Sequence, residues 1–258
     1  MTCVINTHGN QNKDIGKEVK DMSKRYFACV YGGANERIAS QHKEKIEELG
    51  KLIATNGFSL VYGAGATGCM GAVARGVKEN GGFVMGISPD FISEFEDIFD
   101  CDNKVMVDTM AERKTLMEKH ADVFFIAPGG IGTMDEFFQV LTLKYLKRID
   151  VPIVVINLDG FYDTLIALIN DLVKQGAVTE EIHKLYDVIT DVNDDTVVPI
   201  LKDIIRYQVE ISMKYLIVVD MQVDFITGSL GSKCCAGVSV ESHNTALDAM
   251  KAVQIEVK

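Results

Sequence analysis

The chain reads as an α/β protein, a Rossmann-like, doubly wound parallel sheet with helices on both faces. Two observations predict this. Short apolar runs alternate with longer amphipathic stretches at the spacing of β-α-β units, and several of those runs end in glycine-rich turns. In such sheets ligands bind beyond the carboxyl ends of the strands, which is where these turns fall.

Residues 1–24 are polar, mixed in charge and without a sustained period, and are read as an N-terminal extension. "YFACVY", from Tyr26, is the first strand. It runs into Gly32-Gly33, and Asn35 is placed to cap a helix whose Ile38, Ile46, Leu49 and Ile53 share one face. "FSLVYG" is the second strand, followed by glycine-rich "AGATGCMG" and an alanine-rich helix; "GFVMGI" opens the third. "KVMVD" leads into helical "TMAERKTLMEKHA", "DVFFIA" into "PGGIGT" and its helix, and "PIVVIN" into helical "FYDTLIALINDLVKQG". A last short strand and closing helix lie in "DVITDVNDDTVVPILKDIIRY", so one domain is expected over residues 25–212. At Met213 the character changes, and the remainder to Lys258 is too short for an independent α/β domain.

Composition narrows the function. A formal net charge of -11 disfavours attraction to nucleic acid or to an anionic membrane surface. No run reaches the ~18 apolar residues that span a bilayer, and the N-terminus lacks the apolar core of a signal peptide. Six scattered cysteines, with no C-x-x-C pair, form neither a zinc site nor a disulfide framework. The expectation is a soluble cytoplasmic protein without a bound metal.

Two glycine loops are candidates for chemistry. The first carries Gly63, Gly65 and Gly68 in a loose G-x-G-x-x-G, but the acidic residue that a dinucleotide site places ~20 residues on has no good match. The second, residues 128–133, sets Gly129, Gly130 and Gly132 between a buried strand and a helix, with Thr133 as a hydroxyl donor and the acidic pair Asp135 and Glu136 in the first turn. Such a loop offers backbone N–H groups and a helix dipole to an anion. It also fits a plain capping box, with Thr133 as N-cap and Glu136 reaching back. Arg113 and Lys114 lie on the preceding helix; if it starts near Thr109, Arg113 sits about one turn in, near the end of the sheet where both loops gather.

At these residues the sequence resembles the LONELY GUY family of phosphoribohydrolases, often mislabelled lysine decarboxylases. The resemblance rests on "LVYGAGATGCMG", "MAERKTLM", "ADVFFIAPGGIGTMDE" and "VPIVVINLDGFYD", four ordered motifs within about residues 26–207. Ala64 departs from the family's middle glycine, Cys69 from its leucine, and "YGGANE" is a loose form of its first loop. The resemblance implies release of the base from an adenine nucleoside 5′-monophosphate, plain or N6-substituted, with no cofactor. By motif position Arg113 and Glu136 match its catalytic pair, and Gly130, Gly132 and Thr133 its 5′-phosphate loop. Gly129, Lys114, Gly63, Gly65 and Gly68 are carried as further substrate-binding candidates.

A carboxylate suits this chemistry, because loss of the base from C1′ leaves an oxocarbenium-like ribose that negative charge stabilises. A cation near the departing base helps it leave, although arginine is a poor proton donor. Asp135, turned about 100° from Glu136, is read as solvated or supporting. The alternatives are a non-catalytic nucleotide sensor or carrier on the same fold, and an amino-acid decarboxylase, which needs a Schiff-base lysine that no motif supplies. "FFQVLTLKYL" is apolar around more of its circumference than one buried stripe requires, so a homodimer or larger homo-oligomer is expected. The segment 213–258, with "YLIVVDMQVDFITGSLG", is similar to the opening of isochorismatase- and nicotinamidase-like cysteine hydrolases. Asp220 matches their acid, but the chain has no room for their downstream lysine and cysteine, so the segment is read as a truncated fragment.

Overall fold

The computed structural model describes residues 25–94, 97–207 and 210. The expected extension (1–24) and the hydrolase-like fragment (213–258) lie outside the described residues. Seven strands form one wholly parallel sheet in the order β4-β3-β2-β1-β5-β6-β7. In chain order these are β1 (Tyr26–Tyr31), β2 (Phe58–Tyr62), β3 (Val84–Pro89), β4 (Asn103–Val107), β5 (Val123–Ile126), β6 (Ile153–Ile156) and β7 (Asp187–Ile189). The connecting helices are α1 (Ser40–Thr55), α2 (Gly68–Glu79), α3 (Met110–His120), α4 (Ile131–Tyr145) and α5 (Asp163–Lys174), and residues 194–207 form α6.

The apolar runs become strands because both faces of the sheet are covered. Every residue of β2, β5 and β6 is buried, whereas the edge strands β4 and β7 alternate between exposed and half-buried positions. Phe124, Phe125 and Phe137 are fully buried, each contributing roughly 1.5–3 kcal/mol relative to an exposed ring. The strand order reverses direction at β1, which has β2 on one side and β5 on the other. That switch point opens a crevice at the carboxyl ends.

One expected helix start moves. Asn35 does not cap α1; its Oδ1 accepts a hydrogen bond from the Arg37 N–H within a turn, and the helix begins five residues later, at Ser40. An asparagine satisfied by its own backbone two residues on favours the turn over the helix. Asn35 and Ile38 therefore stay in the loop after β1, facing the crevice. The start expected at Thr109 holds: its Oγ1 accepts from the Glu112 N–H at 3.1 Å, and the Glu112 carboxylate accepts from the Thr109 N–H at 3.2 Å.

Candidate active site at the strand switch point

A cavity of about 650 Å³ lies at the carboxyl ends of the central strands, within the ~300–1,000 Å³ usual for small-molecule sites. Its walls come from the loop after β1, from Met70 on α2, from Met110 and Arg113 on α3, from residues 129–136 at the start of α4, and from Phe161 after β6. Gly129, Gly130, Gly132, Thr133, Arg113 and Glu136 all line it.

The start of α4 decides how these groups are presented. The helix begins at Ile131 with Gly130 as its N-cap, and no side chain caps it. The capping box anticipated at Thr133 is therefore absent. Thr133 is the third helical residue, and Asp135 and Glu136 lie in the second turn rather than the first. Glu136 is buried, 8% exposed, and lines the cavity. Helix geometry leaves the first-turn N–H groups of α4 without intrahelical partners. Gly130 and Gly132 are exposed, and a side-chain carbon added at either would meet nothing within 4 Å.

Arg113 comes from the first turn of α3, in the phase set by the Thr109 cap. It is 7% exposed; Nη2 donates to the Gly63 carbonyl at 3.1 Å and Nη1 contacts the Met110 sulfur at 3.7 Å, while Nε is buried without a partner. A buried guanidinium with a spare donor is a fixed positive charge awaiting an acceptor. Lys114 does not join it. Its Nζ donates to Asp135 Oδ2 at 2.8 Å, bridging α3 to α4, and the side chain is absent from the cavity wall. The bridge ties Asp135, which also lines the cavity, to α3.

The first glycine loop stands apart. Gly63, Gly65 and Gly68 are buried and do not line the cavity. The N-terminus of α2 is already occupied by the chain itself: Gly68 N–H donates to Glu36 Oε1 at 3.2 Å and Cys69 N–H to the Gly33 carbonyl at 2.8 Å. The Lys43 ammonium, which donates to the same carboxylate, and then the Gly68 N–H hold the Glu36 carboxyl below its usual range. Gly63 serves the site indirectly, through its carbonyl on Arg113.

Sequence reasoning did not single out Asn35, Arg37, His42, Met70, Met110 or Phe161, all of which line the cavity. Met70, Met110 and Phe161 had a signal, since each lies inside a quoted motif, "LVYGAGATGCMG", "MAERKTLM" and "VPIVVINLDGFYD"; in the last, "NLDGFYD" covers residues 157–163. That motif folds as a self-bonded loop: Asn157 Oδ1 accepts from the Tyr162 N–H at 2.7 Å, Asn157 Nδ2 donates to Asp163 at 2.8 Å, and the Tyr162 hydroxyl donates to the Ala127 carbonyl at 2.6 Å beneath the second glycine loop. The cysteines nearby are unsuited to nucleophilic work. Cys29 and Cys69 are fully buried, and burial pushes the Cys69 thiol up to about 12.

Comparison with known proteins places these features in a family. Residues 70–198 match the family model described as "possible lysine decarboxylase". The cytokinin riboside 5′-monophosphate phosphoribohydrolase of Mycobacterium tuberculosis is 39% identical over 179 residues, 67% of this chain and 93% of the relative. An Arabidopsis thaliana enzyme of the same name is 33% identical over 167 residues, 64% of this chain and 78% of the relative. Among solved structures, the molybdenum cofactor carrier protein of Chlamydomonas reinhardtii superposes with a TM-score of 0.54 at 22% identity, covering 71% of this chain and 99% of that one, and so shares the fold. A decarboxylase that works through pyridoxal phosphate needs a lysine amine in its cavity. Among the described residues no lysine lines this one, so those present do not fit that cofactor.

Proposed function

The chain belongs to the cytokinin riboside 5′-monophosphate phosphoribohydrolase, or LONELY GUY, family, and from that premise we propose that it hydrolyses the N-glycosidic bond of adenine nucleoside 5′-monophosphates, plain or N6-substituted, to free base and ribose 5-phosphate. One observation carries the reading: a buried carboxylate, Glu136, and a buried guanidinium, Arg113, share a cavity with an uncapped helix start whose glycines are open.

The roles follow from chemistry. The 5′-phosphate sits on the N–H groups of the Gly129–Thr133 turn, where partial positive charge at the helix start favours an anion. This places the ribose above α4, with Glu136 one turn further along. Its carboxylate stabilises positive charge developing at C1′ and takes a proton from the attacking water. Arg113 faces the base and offsets the negative charge gathering on its departing nitrogen, the proton itself coming from solvent. Burial strengthens both effects by lowering the local dielectric.

Incubating the protein with AMP, prenyladenosine monophosphate and the matching nucleosides tests this. Base and ribose 5-phosphate should appear in equal amounts from the monophosphates and not from the nucleosides. Tight nucleotide binding without release of base would favour a carrier or sensor instead.

The same reading includes a cytoplasmic location and a homodimer built on α4. Among the described residues no helix is long and apolar enough to cross a membrane. Phe137, Val140 and Leu141 of α4 are buried within the chain, while Ile131 is 90% exposed and Tyr145 and Leu146 also face outward. Light scattering at micromolar concentration should return twice the chain mass or more; a monomer would overturn the assembly.

A further inference from the structure

His42 has no place in the mechanism above, yet it forms part of the same cavity wall. It lies in the first turn of α1 with its side chain 10% exposed. Nε2 lies 3.1 Å from Asp159 Oδ2, and the ring packs edge-on against Phe161 at 5.8 Å. The other ring nitrogen, Nδ1, is buried without a partner. Asp159 is held in place from two sides, since Gln41 Nε2 also donates to its Oδ2 at 3.2 Å. It is also one of three described non-glycine residues with positive φ (+50°), a conformation that costs energy and persists where the surroundings demand it.

We infer that His42 is a phosphate-binding residue whose Nδ1–H donates to the 5′-phosphate, and that Asp159 is the positioning residue that makes this donation require a proton. The inference rests on the proposed function. Topology assigns the ligand group. Along the carboxyl edge the loops follow in the order β2, β1, β5, β6; Arg113 is tied to the β2 end through Gly63, while His42 leans on Asp159 and Phe161 of the β6 loop. The anion-binding turn follows β5, and the Tyr162 hydroxyl links the β6 loop to its base. The phosphate end of the nucleotide therefore adjoins His42, and the base end adjoins Arg113.

The proton requirement comes from hydrogen-bond inventory. An ionised carboxylate only accepts, so Nε2 facing Asp159 carries hydrogen, and in the neutral ring Nδ1 is then an acceptor. A phosphate oxygen is an acceptor too, and two acceptors repel. Donation to phosphate thus needs the imidazolium: one proton is taken from solvent onto Nδ1 as the phosphate arrives, and it leaves when the phosphate departs. The other charged groups around the ring are Arg37 from the preceding loop, Asp135 and Glu136 from α4 and Arg113 from α3 in the cavity, with Glu44, Lys45 and Glu48 of α1 and Asp191 after β7 in the adjoining hollow. Lys45 is paired with Asp191 at 2.8 Å.

Calorimetric titration of the full chain with ribose 5-phosphate, at about pH 7.5 in buffers of different protonation enthalpy, reads the proton directly, because that phosphate is then already largely dianionic. The wild-type protein should take up a proton on binding, and His42→Gln should take up none and bind about tenfold more weakly. Asp159→Asn offers Nε2 an amide that can donate, so the neutral ring can then carry hydrogen on Nδ1 and proton uptake on binding should fall; a merely structural role would leave the uptake in place. Equal proton uptake in wild type and His42→Gln, undiminished uptake in Asp159→Asn, or no binding of ribose 5-phosphate would overturn the inference. Because the readout needs no turnover, it is separable from the function. Base release without His42-linked uptake sinks only this inference, and uptake without base release sinks only the hydrolase.

Discussion

The two glycine loops of this chain look alike in sequence and are packed in opposite ways. Residues 63–68 and 128–133 each join a buried strand to a helix. In the first loop the glycines are buried, one of them under positive φ, and the following helix start is consumed by Glu36 and the Gly33 carbonyl. In the second, Gly130 and Gly132 are exposed and the helix start has no side-chain cap. A glycine loop is thus an anion site only when its N–H groups remain unspent. Glycine itself serves close packing as readily as ligand approach.

Glu136→Gln should have the largest effect. It keeps the shape of the buried side chain and removes the negative charge beside C1′. Activity should fall by about 10³-fold or more, roughly 4 kcal/mol of transition-state stabilisation, with the thermal midpoint little changed; near-full turnover in steady-state assays would break the assignment of chemistry to the second loop. Gly68→Ala tests the packed loop. A methyl there would lie 2.4 Å from the Gly33 carbonyl oxygen, on a residue with φ of +59°, so stability should drop by roughly 2–4 kcal/mol in chemical denaturation.

Gly132→Ala is the matching change in the open loop. No atom lies within 4 Å of the added carbon, and alanine is the better helix former, so stability should hold or rise by a few tenths of a kcal/mol. The methyl instead intrudes on the approaching phosphate, and KM should rise about tenfold. Equal stability losses at Gly68 and Gly132 would erase the distinction between the loops. The smallest effect is a gain. Ala64 adopts φ of +65°, which costs a residue bearing a Cβ about 1 kcal/mol, so Ala64→Gly should raise stability by up to that amount, net of the extra chain entropy glycine brings to the unfolded state.

Ala64 also shows how far the sequence could be read. It stands at the middle position of the first loop, where the resembling family has glycine, and the backbone there still takes the glycine-like conformation. The departure is tolerated because Gly86, on the neighbouring strand, leaves room for the methyl: a carbon added at Gly86 would lie 2.8 Å from Ala64 Cβ. Nothing in the pattern of apolar residues announces that pairing. The strands, by contrast, were legible to within a residue or two, since runs such as "VFFI" and "IVVI" are buried on both faces and have no other stable place to go. The start of α3 near Thr109 was legible as well, because its cap is local: Thr109 Oγ1 accepts from the Glu112 N–H, and the Glu112 carboxylate accepts from the N–H groups of Asp108 and Thr109.

The sequence by itself determined the alternation of strands and helices, the phase of Arg113 on α3, and the presence of a glycine turn ahead of an acidic helix, for all of these depend on neighbours within a few positions. Tertiary structure decided which glycine turn stays open, that Glu136 lies in the second turn of α4 facing a cavity, that Lys114 is spent on Asp135, and that His42 meets Asp159 across 117 positions of chain. Those outcomes depend on which long-range partner claims a polar group first, and a hydrogen bond made within the protein is one that a ligand can no longer make.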